Sequence, residues 1–293
     1  MDDSVDEVDD SDFIVSEDHL PKGIAERIDD PPSSPSIPRP AATVVLMRDS
    51  DEGIQILLLK RVHSAGFVPG AYVFPGGRVD GEDADPEALR RTPGLTVDTA
   101  AERMGLRDAD PPAVAYYIAA VREAFEETGI LVARNVDGDP IPTAAVALRV
   151  LEVRDRLLDE SCSFARALED LGAHIDDTAI EYVGHWMTPI AEPLRYDARF
   201  FAAVVPPESD PAIHTAEMLD AIWISPSSAL ERTREGSLPM VFPTIKTLES
   251  IMDFDTASEV LGHYRGRSIP SVLPRLIRTP DGITIKLSEI ISD

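Results

Sequence analysis

The chain has 293 residues, of which 43% are hydrophobic, enough for one large domain or two small ones with a sizeable core. Its 53 acidic residues against 27 basic ones leave a formal charge of −26, which excludes a nucleic-acid-coating protein and a polybasic membrane binder. A small phosphorylated substrate stays open, because a bound divalent cation inverts the local field.

Residues 1–20 hold nine acids and no Lys or Arg, and "DDPPSSPSIPRP" follows. Charge repulsion and proline predict a disordered acidic tail over 1–38, with a domain over 39–293. The start, "MDDSVDEVDD", has neither the basic nor the apolar region of a signal peptide. No apolar run reaches the roughly 18 residues of a membrane helix. A soluble, cytoplasmic protein is therefore expected, without membrane or nucleic-acid partners; a homodimer is left open.

"AATVVLMRD" and "IQILLLKR" predict a strand pair joined at "SDEG". "SAGFVPGAYVFPGGRVDGED" reads as loop, short strand and loop. Residues 84–110 are irregular, with one short helix near "DPEALRR". The clearest helix is "DADPPAVAYYIAAVREAFEETG", with Asp110 at the N-cap, Pro111 at the first helical position and Gly129 at the stop. Ile118, Val121 and Phe125 fall on one face.

Two helices are predicted over about 143–159 and 161–171; the second holds Cys162, the only cysteine, which rules out an intramolecular disulfide and a cysteine-based zinc cluster. "EYVGHWMTP" and "RYDARFFAAVVP" predict strands. "DAIWISPSSALERTREG" predicts a strand and a helix capped near Ser225 or Ser227. "PTIKTLESIM" and "TASEVLGHYRG" predict a helical C-terminal extension, and "IRTPDGITIKL" a hairpin. The mixture indicates an α/β or α+β fold with helical insertions at about 84–110 and 143–180.

Glu123, Glu126 and Glu127 stand at i, i+3 and i+4 and share one helix face. Like charges at this spacing repel by about a few tenths of a kcal/mol, and acids in a last turn face the negative end of the helix dipole. No Lys or Arg lies between Arg122 and Arg134 to relieve them. A solvated acidic face is one reading of the triplet. The other is a site for a hard divalent cation, which prefers carboxylate oxygens.

"VFPGGRVDGED" upstream and "REAFEETGI" together resemble the Nudix box, G-x5-E-x7-R-E-U-x-E-E-x-G-U, in which U is a bulky aliphatic residue. Gly77 matches the opening glycine, and Arg122, Glu123, Glu126, Glu127, Gly129 and Ile130 the second half. Asp83 stands at the first glutamate, Ala124 at a bulky position, and the seven-residue spacer has become Ala84 to Val121. The long spacer and "HWMTPIAEPLRYDARFFAA" resemble a split-box branch similar to the animal peroxisomal coenzyme A diphosphatase.

That resemblance implies an α/β/α sandwich with a mixed sheet, Mg²⁺ or Mn²⁺ as cofactor, and hydrolysis of a diphosphate linkage in a nucleotide-derived small molecule. Coenzyme A or acyl-coenzyme A leads as substrate, followed by ADP-ribose, NADH, a nucleotide sugar or a dinucleotide. A non-catalytic nucleotide-sensing domain is the rival.

The resemblance makes Glu123 and Glu127 metal ligands, Glu126 a third ligand or base, the Gly76 carbonyl a further ligand and Glu217 a general base or extra ligand. Arg122 orients a glutamate. Asp83 is left unassigned. Arg195, Asp197 and Arg199 share one strand face by period two; the two arginines are candidates to grip phosphate, or to pair with Asp197. Arg61 ends a strand and is a similar candidate. A coenzyme A-type motif of some relatives matches at Leu57, Leu58, Arg61, Gly70 and "FPGG" but departs at Leu59, Val62 and Gly66.

Overall fold

The computed structural model describes residues 13–15, 24–62, 70–213, 218–280 and 282–291. In chain order come β1 (Phe13–Val15), α1 (Ile24–Asp29), β2 (Arg39–Ser50), β3 (Gly53–Arg61), β4 (Tyr72–Val73) and β5 (Gly76–Arg78). The first insertion holds α2 (Pro86–Leu89) and α3 (Val97–Met104), and leads into α4 (Ala113–Thr128). Then follow β6 (Ala133–Asn135), α5 (Leu148–Leu158), α6 (Phe164–Asp170), β7 (Ala173–Ile175), β8 (Ile180–Met187), β9 (Tyr196–Val204) and β10 (Met218–Ile224). The chain closes with α7 (Pro226–Arg234), α8 (Phe242–Ile251), α9 (Ala257–Tyr264), β11 (Ser271–Thr279) and β12 (Gly282–Ile291).

These residues group into two units, one from segments 1–39, 185–197 and 270–293, the other from 40–184 and 198–269. In the larger unit the strand order is β8-β9-β2-β3-β10, with β4 on β3 and β5 on β2. Alternation along β2 explains its place. Ala42, Val44 and Leu46 join α4 in one core, while Val45 and Met47 are equally buried on the opposite face. The smaller unit pairs β1 with β12 and β12 with β11, all antiparallel, and β11 runs parallel to His185 and Trp186 of β8. The sheet is thus mixed, and the fold is α/β.

The described part of 1–38 holds strand β1 and helix α1, with Ile24 only 1% exposed. Two expectations are corrected. The irregular segment 84–110 holds a second helix, α3, whose Thr96–Thr99 capping box and left-handed Gly105 were present in the sequence as start and stop signals. And α4 starts at Ala113 with Pro112 at its N-cap, not Asp110. A residue before proline is pushed out of the α region, so Pro111 stays outside the helix.

The C-terminal end of α4 is as expected: Gly129 adopts φ +70 and its N–H donates to the Phe125 carbonyl at 2.9 Å. The helix is buried on most of its surface, beyond the single stripe expected, because β5, α3 and α5 all pack against it. Only its last two turns turn charged groups toward one place.

Candidate active site

The last two turns of α4 carry Arg122, Glu123, Glu126 and Glu127, and β5 lies against them. β5 is held there by antiparallel pairing with β2, Thr43 opposite Gly76 and Ala42 opposite Gly77. The Gly76 N–H donates to Glu127 Oε2 at 3.2 Å. A Cβ at Gly77 would stand 2.4 Å from Glu123 Oε1, and one at Gly76 would stand 2.5 Å from the Ala42 carbonyl oxygen. The glycine pair is therefore what lets a strand approach two carboxylates. Gly77→Ala is expected to push the Glu123 carboxylate aside and lower kcat by about tenfold or more, with little change in Tm; measuring both on the purified variant checks this.

Arg122 is buried and organises the cluster. Its Nε and Nη2 donate to the two oxygens of Asp83 at 2.9 and 3.0 Å, a bidentate fork. Nη1 donates to Glu123 Oε1 at 2.9 Å and stands 3.3 Å from Glu126 Oε2. Nη2 also donates to the Arg78 carbonyl at 2.9 Å. Asp83 is 1% exposed, sits in the short 3-10 turn Gly81–Ala84 and accepts the Asp80 N–H at 2.8 Å. The insertion leaves and returns without opening the split box: Asp83 meets the helix through Arg122.

Burial pushes the Glu123 carboxyl up to about 7, against the pull of Arg122 and with the help of Glu126 and Asp83. Glu126 is raised for the same reason. Burial works against the Arg122 charge too, but Asp83, Glu123 and Glu126 together raise its pKa. The carboxylates thus carry more negative charge than Arg122 relieves, in a place poorly reached by water.

Among the described residues no group of three or more His, Cys, Asp or Glu is arranged to hold a metal ion. A hard cation such as Mg²⁺ does not demand an all-protein cage, since it keeps waters and substrate oxygens in its shell. The oxygen-only donor set, the raised Glu123 carboxyl and the side-chain-free edge at Gly76–Gly77 fit such an ion.

The other sequence-predicted residues fare differently. Arg195 is buried, with Nε donating to the Thr188 carbonyl and Nη1 to the Ser36 carbonyl, both at 3.0 Å. Arg199 is buried in the core, with Nη1 donating to the Tyr182 hydroxyl at 3.0 Å and the guanidinium facing the Tyr116 and Tyr182 rings. Period two gives the face of a strand but not whether that face is covered. Asp197 accepts from His185 Nε2 at 2.6 Å.

Arg61 ends β3 opposite Met218, and its buried Nε has no hydrogen-bond partner among the described residues. Glu217, and Gly66 of the coenzyme A-type motif, lie outside the described residues. The sequence reading missed Arg154 of α5, which donates to the Glu126 carbonyl from Nε at 3.0 Å and Nη2 at 2.6 Å. The one signal for it was the lack of any cation beside the acids.

A family model described as the NUDT19 Nudix domain matches residues 37–251. The chain belongs to this Nudix family. The human acyl-coenzyme A diphosphatase NUDT19 is 30% identical over 266 residues, spanning 79% of this chain and 70% of that protein. Its Gallus gallus counterpart is 28% identical over 272 residues, spanning 78% and 70%. A solved NUDIX hydrolase from Alicyclobacillus acidocaldarius superposes with a TM-score of 0.65 at 29% identity, covering 78% of this chain and 96% of that one.

The protein is thus a Nudix pyrophosphohydrolase with a mixed-sheet α/β fold. Among its described residues no helix is long and apolar enough to cross a membrane. Within this Nudix hydrolase, Asp83 occupies the box's first glutamate position and pairs through both carboxylate oxygens with Arg122.

Proposed function

We propose that this Nudix hydrolase cleaves the diphosphate linkage of coenzyme A or an acyl-coenzyme A, with Mg²⁺ or Mn²⁺ as cofactor. The observation that carries the reading is the set of three glutamates at the end of α4, held against the Gly76–Gly77 edge with Arg122 clamped by Asp83. The substrate class is supported by relatives named acyl-coenzyme A diphosphatase.

Glu123 and Glu127, one helical turn apart, would hold the cation, with the Gly76 carbonyl completing its protein ligands. When bound, the cation supplies charge neutralisation on the diphosphate and lowers the pKa of the attacking water. The chain's own residues do the rest. Arg122 Nη1 holds Glu123 Oε1 in a single position. Gly77 leaves room for that carboxylate. Glu126, with its side chain 22% exposed, takes the proton of the water on a carboxylate oxygen; Glu217 is the alternative base. The Nε of Arg61, without a hydrogen-bond partner among the described residues, is the candidate donor to a substrate phosphate.

The test is hydrolysis of coenzyme A, acetyl-coenzyme A, ADP-ribose, NADH, a nucleotide sugar and diadenosine polyphosphates, with Mg²⁺ or Mn²⁺ and then with chelator. Release of 3′,5′-ADP from coenzyme A, abolished by chelator, is the expected result. Cleavage of ADP-ribose or another member in place of coenzyme A would keep the chemistry and overturn the substrate. Full activity in chelator would overturn the metal.

A further inference from the structure

The end of α4 poses an electrostatic problem that the Nudix box does not solve. Three carboxylates crowd the negative end of a helix dipole, and Arg122, one turn earlier, is engaged by Asp83 and Glu123. The last carbonyls of a helix also lack intrahelical partners. Here three carbonyls at this end are met by groups beyond the helix. The Thr128 carbonyl accepts the Ala212 N–H at 2.7 Å, and the Gly129 carbonyl accepts the Ala144 N–H at 2.9 Å. The Glu126 carbonyl takes two donors from one guanidinium, that of Arg154.

Arg154 is an unusual donor. It belongs to α5, in the helical insertion, and is only 3% exposed. Val150, Val153 and Leu157 of the same helix are buried with it, so α5 is anchored and the guanidinium is carried on a rigid element. Its hydrogen bonds go to one main-chain carbonyl and to no carboxylate among the described residues. A buried charge without a paired carboxylate is costly. Burial lowers the Arg154 pKa, and Asp155, Glu126 and Glu127 oppose it only in part; the carbonyl and the negative end of the helix dipole are the groups that the guanidinium directly meets.

We propose that Arg154 is a positioning residue of the hydrolase. It locks the main chain at Glu126, and so sets where the Glu126 and Glu127 carboxylates point, making the second insertion a support of the active site. The inference rests on the glutamate-site reading above.

The experiment compares wild type, Arg154→Gln, Arg154→Lys and Glu127→Gln as full-length protein. Steady-state kinetics are measured on the panel substrate that wild type cleaves, and Mn²⁺ binding is followed by the electron paramagnetic resonance of the free ion. Circular dichroism and Tm report folding. Removing a group that orients ligands costs about 10–100-fold in activity or metal affinity. Arg154→Gln is therefore expected to lose about tenfold or more in kcat, with KM within threefold, and to bind Mn²⁺ at least threefold more weakly. Arg154→Lys keeps the charge but not the two-donor fork; it folds normally and recovers part of kcat.

A kcat loss of threefold or less in folded Arg154→Gln, with Glu127→Gln inactive, overturns this proposal alone. So does a loss that merely follows unfolding and is absent in folded Arg154→Lys. Wild-type turnover and Mn²⁺ binding in Glu127→Gln would instead overturn the glutamate-site reading beneath it.

Discussion

Glu127→Gln is expected to lower turnover by about 100-fold or more while leaving Tm near its wild-type value. A metal ligand supplies several kcal/mol of transition-state charge stabilisation, and about 1.4 kcal/mol is a factor of ten. The amide is nearly isosteric and its oxygen still accepts the Gly76 N–H, so the contact that ties α4 to β5 survives. The fold also loses one member of a repulsive set, which offsets part of any lost packing. Kinetics at saturating Mn²⁺ and a thermal melt with and without the ion test this together. Wild type should gain Tm with Mn²⁺ by mass action, and the variant should gain less. Near-wild-type turnover in a folded Glu127→Gln protein would remove the glutamates from the chemistry.

Asp83→Ala is expected to cost stability as well as activity. Asp83 is 1% exposed and forms both arms of the fork on buried Arg122. Removing one partner of a buried pair strands the other charge, at a cost of about 3–5 kcal/mol. Arg122 keeps Glu123, Glu126 and the Arg78 carbonyl, so the lower end, about 3 kcal/mol, is expected. For a chain of this size that is a fall in Tm of about 5 °C. Activity should fall too, because Arg122 freed from Asp83 is left with Glu123, Glu126 and the more distant Asp80, and draws the two glutamates inward. Asp83→Asn, which keeps the shape and loses the charge, should be milder in Tm than Asp83→Ala. An unchanged Tm in Asp83→Ala would mean that the insertion, not this ion pair, holds the split box closed.

The two predictions separate residues that were legible in the sequence from one that was not. The glutamates announced themselves: an i, i+3, i+4 triplet before a glycine stop is a local pattern on a single helix, and α4 carries it there. The glycine pair was equally local, though its reason, the clash at Glu123, is a contact between segments far apart in the chain. Asp83 could be aligned to the box but not placed, since a spacer running from Ala84 to Val121 leaves its distance from the helix undetermined. Arg195 and Arg199 illustrate the converse. Arg195 lies just before β9 and Arg199 within it, and each is buried among groups contributed by other segments, the Ser36 carbonyl for one and the Tyr116 and Tyr182 rings for the other.

By itself the sequence determined the helix, its stop, the acidic triplet, the strand pair before it and the family to which the chain belongs. These follow from periodicity, capping and motif spacing, which act over a few residues. Only the tertiary structure decided that Asp83 closes on Arg122, that Arg154 of the second insertion meets the Glu126 carbonyl, and that Arg195 and Arg199 are buried. The physical reason is that a charged side chain's role depends on burial and on its partners, and both are set by segments distant in the chain.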